Sequence, residues 1–307
     1  MTSQSRTISG SSPIVAEKIS REIPAIRRFY WLVQRELWEN RSVYLAPLVV
    51  GVISMLGSFV ALVHLPARIR SVADPMRVHE VVEQPFVAVA LALMAIDIIV
   101  AVIYCLDALY GERRDRSVLF WKSLPVSDLS TVLAKASIPI LVLPIISSAV
   151  TVAVQLVMLL GSSAVFAGAG MSAATAWEHI PILQTAGINF YHLVVFHGIW
   201  YAPFYGWFLL VSAWSRRTPF LWAVVPPVVV GAVERIAFNS THFATMLLHR
   251  FAGSSPTGGQ SGGMTMEMMG PSHAGHFLLS PGMWFGLLLT AAFLFAESRL
   301  RRSRTSD

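Results

Sequence analysis

The sequence predicts an all-α polytopic membrane protein with six transmembrane helices and both termini in the cytoplasm. Three observations carry this. Hydrophobic residues make up 55% of the 307 positions and charged residues only 13%. Soluble domains carry roughly 25% charged residues. The apolar residues are bunched into runs of about 20, the length a helix needs to cross a bilayer, rather than scattered at helical or strand spacing. Lys and Arg collect on alternate connections, as the positive-inside rule requires of a membrane protein with a fixed orientation.

The chain opens with a polar, basic tail over 1–41 that lacks a short apolar core followed by a small-residue cleavage site, so no cleaved signal peptide is expected. Within it, 26–40 reads I-R-R-F-Y-W-L-V-Q-R-E-L-W-E-N. Ile26, Phe29, Tyr30, Val33, Leu37 and Trp38 recur at helical spacing, with Arg27, Arg28, Gln34 and Arg35 largely opposite. An amphipathic helix lying among lipid headgroups is expected there. The six spans follow near 43–64, 86–109, 136–160, 192–214, 219–238 and 282–296, inside a transmembrane domain of 42–299. A basic tail, 300–307, ends the chain.

Orientation comes from counting. Of the 23 Lys and Arg residues, seven lie in the N-terminal tail, five in the 110–135 connection, two at Arg216 and Arg217, and four beyond the sixth span. Arg68, Arg70, Arg77 and Arg250 lie on the other side, and Arg235 within the fifth span. The tally puts both ends inside. The net charge of +6 therefore reads as topology and attraction to anionic lipid, not as a nucleic-acid surface. Cys105, the single cysteine, lies in an apolar run and excludes an intramolecular disulfide.

The connection between the second and third spans is the most distinctive polar stretch: G-E-R-R-D-R-S-V-L-F-W-K-S-L-P-V-S-D-L-S-T-V-L-A-K, 111–135. Leu119, Phe120, Leu124 and Val126 suit a partner's groove, with the charges as its rim. The same residues also suit a surface loop whose Ser127-Asp128 caps the next helix. The residues alone leave both readings open.

This connection resembles the cytoplasmic loop of type-2 ABC exporter permeases. The matching elements are Glu112-Arg113, the Leu-rich turn from Leu119 to Leu124, Pro125-Val126-Ser127, and Leu133-Ala134-Lys135. The likeness extends to six spans, both ends inside, a basic amphipathic helix before the first span, and a long outer segment over 239–281 before the sixth. At Arg116-Ser117 the chain departs from the Gly-Thr often found in the family. The resemblance implies a permease subunit in a bacterial inner membrane, paired with a second copy or a sister permease. Two ATP-binding subunits would sit on a coupling helix in this connection. Glu112, Arg113, Leu119, Phe120, Leu124, Pro125 and Asp128, with Arg28 and Arg35 of the N-terminal helix, would then meet the motor.

The chain carries no motor of its own and is not expected to be an enzyme. No G-x-x-x-x-G-K-[ST] phosphate loop occurs, and none of the three lysines follows a glycine. ATP and Mg would be held by the partner. There is also no H-E-x-x-H and no G-x-S-x-G.

Four ionisable residues fall inside spans: Asp97, Asp107, Glu234 and Arg235. A charge at mid-bilayer must face protein, water or a counter-charge. Asp97 reads either as part of a substrate or proton path or as a structural hydrogen bond, and an Asp97–Arg235 pair satisfies the signs. A carrier driven by an ion gradient through Asp97 and Glu234 is the alternative to the permease. In the outer loop, Met264, Met266, Met268 and Met269 with His273 and His276 offer thioether and imidazole groups of the kind that suit Cu(I). A gap-filling apolar lip explains them equally, and no metal is assigned. Aromatics crowd the fourth span, from Tyr191 to Phe208, where they read as a belt and helix packing or as a path for an amphipathic substrate.

Overall fold

The computed structural model describes residues 24–72, 74–114, 127–252 and 280–303. Among them no strand forms. Among the described residues five helices are long and apolar enough to cross a membrane, or six where the bent pair Ile182–Trp200 and Ala202–Trp214 counts as one span. The chain is an all-helical polytopic membrane protein.

Helix α1 (Ala25–Glu39) precedes the first span, α2 (Ser42–Ser71). The second span is α3 (Pro75–Asp107), extended after a two-residue turn by the short α4 (Tyr110–Arg114). The third is one continuous rod of 41 residues: α5 (Asp128–Ser137), a π-helical turn (Ile138–Val142) and α6 (Leu143–Gly168). Two short helices follow, α7 (Thr175–His179) and α8 (Ile182–Tyr191). A second π-helical stretch (His192–Trp200) runs on from α8 and meets α9 (Ala202–Trp214) at a bend of 48°. Helices α10 (Pro219–Phe238), α11 (His242–Ala252) and α12 (Pro281–Ser303) complete the chain.

Several spans outrun the apolar runs that predict them. At about 1.5 Å per residue, the 30 residues of α2 exceed the hydrocarbon thickness, so the helix continues beyond it. Proline falls inside helices at Pro47, Pro66, Pro85, Pro226 and Pro227 without ending them. Pro139 lies within the first π-helical turn and Pro144 just beyond it, and their missing N–H groups leave the ladder free to shift register. The two π-helical stretches pack on each other, and Gly198 is the contact. A side chain there collides with the Ile140 carbonyl.

Two apolar clusters fill the interior. One joins α3, α5 and α9 through Tyr104, Cys105, Val132, Tyr205 and Leu209. The other joins α2, α3 and α6 through Leu62, Phe86, Leu93 and Met158. Outward faces are apolar as well: Val52, Ile53 and Val60 on α2, and Val228, Val229 and Val233 on α10, are exposed in the way lipid-facing residues must be. Only Ala223 of α10 is buried, so this span is the least embedded in the bundle.

The expected apolar stripe of α1 divides. Leu32 is buried, and Val33 and Leu37 pack on the core, while Ile26, Tyr30, Trp31 and Trp38 stay exposed. The inward face of the helix also carries Glu36, which is buried.

Candidate functional site

The ends of five elements meet at one end of the bundle, and the meeting point is a cluster of buried charges. Glu112 is its centre. The turn that brings it there is built by Ser212 of α9, whose hydroxyl accepts the Leu109 and Tyr110 amides at 3.1 and 3.0 Å and donates to the Leu106 carbonyl at 2.8 Å. Those bonds serve backbone groups released where α3 stops and α4 starts. The next residue, Arg113, points the other way. Its guanidinium donates to the carbonyls of Ser212 and, at 2.8 Å, Ser215. These are orphan carbonyls at the C-terminus of α9, where a cation also meets the helix dipole.

Glu112 accepts from three cations on three other elements. Arg35 of α1 lies at 3.1 Å, Lys135 of α5 at 3.0 Å and Arg301 of α12 at 3.1 Å. Lys135 is buried and also reaches Glu36 at 2.9 Å. Glu36 in turn takes hydrogen bonds from Arg35 at 2.5 Å and from the Tyr104 hydroxyl at 3.1 Å. Arg301 lies 3.4 Å from Asp128, which opens α5 just after Ser127 caps it through the Ser130 amide. The result is a clamp. It ties both roots of the 115–126 connection, Glu112 on one side and Asp128 and Lys135 on the other, to the first and last helices. A buried charge pair of this kind adds little net stability when intact, but removing one partner strands the other.

Of the residues singled out by sequence, Glu112, Arg113, Asp128 and Arg35 come together here. Arg28 is half-buried two turns nearer the start of α1. Leu119, Phe120, Leu124 and Pro125 lie outside the described residues, as do Met264, Met266, Met268, Met269, His273 and His276. Among the described residues no group of three or more His, Cys, Asp or Glu is arranged to hold a metal ion.

The intramembrane candidates separate. Asp97 is buried against Ser147 of α6, whose hydroxyl donates to Oδ1, while Oδ2 has no donor among the described residues. Arg235 is exposed on α10, and Asp97 pairs with Ser147 rather than with it. Further along α6, Gln155 donates to the Phe86 carbonyl at 3.3 Å and accepts from Asn189 at 3.1 Å. Asp107 is exposed at the end of α3. Glu234 caps a helix: its carboxylate accepts the His242 and Phe243 amides at 2.8 and 2.9 Å and the Ser240 hydroxyl at 2.7 Å, where α11 begins.

Sequence reasoning passes over Glu36, Tyr104, Ser212, Glu297 and Arg301, and takes Lys135 as a topology charge and as the end of the Leu133-Ala134-Lys135 element, not as a buried partner of two acids. One signal was available. Lys135 is a lone lysine at the mouth of an apolar run, where a buried ammonium needs an acid from elsewhere. No known family model, curated protein or solved structure matches the chain.

Proposed function

We propose that the chain is the permease subunit of an ATP-driven exporter in a bacterial inner membrane, with the clamp on the cytoplasmic side. The observation that carries this reading is the clamp itself. A partner bearing on the 115–126 connection would act on a segment fixed at both roots to α1 and α12. Displacement there must move the third span, the N-terminal helix and the last span together, because Lys135, Arg35 and Arg301 share the Glu112 carboxylate. This is the linkage a separate motor needs to reach the bundle, and it fits the resemblance of the connection to the coupling loop of type-2 exporters.

On this reading ATP and Mg sit on two copies of an ATP-binding subunit, and this chain binds neither. A second copy of the permease, or a sister chain, completes the pathway. The motor does work only by binding two arrangements of the clamp with different affinities. The exposed aromatics of α1 rest among headgroups and keep that helix at the interface.

The carrier reading keeps Asp97 as its candidate. Glu234, by contrast, is engaged in capping α11, which leaves that alternative one buried acid instead of two.

The test is purification of the chain from native membranes in mild detergent, with mass spectrometry of what accompanies it. A stoichiometric ATP-binding subunit, lost on Glu112→Ala, is the expected result. An intact, folded chain without such a partner overturns the reading.

A further inference from the structure

Glu297 is the acid that the clamp leaves over. It lies on α12 one turn before Arg301 and is fully buried. Neither of its carboxyl oxygens has a donor among the described residues. Its electrostatic neighbours are Arg301 on its own helix, Lys135 on α5, Glu112 on α4 and Cys105 on α3. Behind Lys135 stand Glu36 and Arg35 of α1, with the Tyr104 hydroxyl. Helix α9, packed along α12, brings Tyr205 as its titratable group, and the π-helical stretch brings His192 and His197 towards the far half of α12.

Among the described residues of this site, the charges do not balance if every acid is ionised. Arg35, Lys135 and Arg301 face Glu36, Glu112, Asp128 and Glu297. Among the described residues, these three cations match three carboxylates, each of which has a salt bridge. Glu39 stands apart on the rim, 41% exposed and 3.6 Å from Arg35, where solvent screens it. Among the described acids of this site, Glu297 is the one whose two oxygens both lack a donor; it is fully enclosed and feels the already negative Glu112. A carboxyl so placed takes a proton rather than carry an unpaired charge.

We propose that Glu297 is a proton-binding site, neutral while the clamp is closed and ionised when α12 parts from α5 and water enters. On opening, the O–H bond of Glu297 breaks, the proton passes to water or buffer, and the carboxylate is left hydrated. On closing, the reverse occurs and one proton is taken up. The sign follows from linkage. A group that holds its proton more tightly in the closed form stabilises that form at low pH, and the stabilisation is lost as pH rises. That opening belongs to a transport cycle rests on the permease reading; the residence of the proton does not.

The experiment is an infrared pH titration of the full-length chain in lipid nanodiscs, without partner or nucleotide. Asp97 is also buried with one oxygen lacking a donor, so the variant Asp97→Asn isolates Glu297. In D97N the carbonyl stretch of a protonated carboxyl is expected to persist at neutral pH and to disappear in alkali; its absence at neutral pH overturns the proposal. In the reciprocal variant Glu297→Gln, the band is expected to fall to the Asp97 contribution alone, and thermal unfolding is expected to lose part of its decline with rising pH. An unchanged band in E297Q also overturns it. If E297Q fails to fold, the D97N titration decides by itself. Because the measurement uses the isolated chain, failure to find an ATP-binding partner leaves its outcome intact.

Discussion

Charges at the two ends of the bundle are connected differently: at one end they share partners, at the other they act one by one. At the clamped end, the bond from Arg35 to Glu112 spans 77 residues, that from Lys135 to Glu36 spans 99, and that from Arg301 to Glu112 spans 189. At the opposite end, Glu234 holds Ser240, His242 and Phe243, all within nine residues. Arg250 is intermediate: it stacks 4.5 Å over Trp200 and donates to the Trp200 and Gly282 carbonyls at 3.0 Å, fastening the bend and the start of α12. Charges at the clamped end share partners and so join elements into one unit. Those at the other end act separately: Glu234 within one turn, Arg250 on the bend and the start of α12, and Arg70 on the Ala169 carbonyl 99 residues away at 2.5 Å.

The sharpest way to break this contrast is Lys135→Met. The methionine fills the volume but leaves Glu36 and Glu112 buried without their shared ammonium. Stranding a buried acid this way costs about 3–5 kcal/mol. The expected outcome is a large fall in the thermal unfolding midpoint in detergent, with partial recovery when Glu36→Gln is added. A midpoint unchanged by K135M refutes the idea that this end is a single electrostatic unit.

Arg113→Ala comes next. It removes donors from the Ser212 and Ser215 carbonyls, bonds of the charged kind worth about 1.5–3 kcal/mol each. The loss is expected to fall on the joint between α4 and α9, read as faster amide exchange at Leu109, Tyr110 and the end of α9. On the permease reading, R113A also lowers partner-stimulated ATPase activity while partner binding survives, since the connection is then no longer anchored to α9.

Gly198→Ala tests the middle of the bundle, between the two ends. The added methyl meets a backbone carbonyl, not a flexible side chain, so the π-helical stretches must move apart. Overpacking of this kind costs about 1–3 kcal/mol. A smaller fall in the midpoint than for K135M is expected, with the clamp's contacts intact.

How far the sequence reveals these regions depends on how far apart along the chain the interacting residues lie. Apolar runs are local, so the spans are legible in it, though their ends are not. Helix α12 runs past the expected boundary at 296 and carries Glu297 and Arg301 inward with it. The role of Glu234 is equally local but is masked by the span around it: without the turn at Asn239, a glutamate in an apolar helix reads as a path residue. The clamp is not legible, because nothing in a linear pattern pairs Lys135 with acids 99 residues before it and 23 before it on separate helices. The Glu112-Arg113 motif stands out, yet the opposite directions of its two side chains depend on the Ser212 hydroxyl. The bend at Tyr201 was also missed. Pro203, in the first turn of α9, sits where a proline opens a helix without strain, so nothing in the sequence marks a break there.

The smallest effect is expected from Glu234→Ala, and it is the most discriminating. Its partners are two amides and a hydroxyl within nine residues, all at the start of α11. Removing the carboxylate frees donors that water can reach, since this end of α10 is largely exposed. Faster exchange of the His242 and Phe243 amides is expected, with the unfolding midpoint and the Lys135 end unchanged. If E234A instead lowers the midpoint as K135M does, charges at this end also form one coupled unit and the contrast fails. If E234A leaves stability untouched but abolishes transport driven by a pH gradient without ATP, Glu234 is a coupling acid that also caps a helix, and the carrier reading regains its second carboxyl.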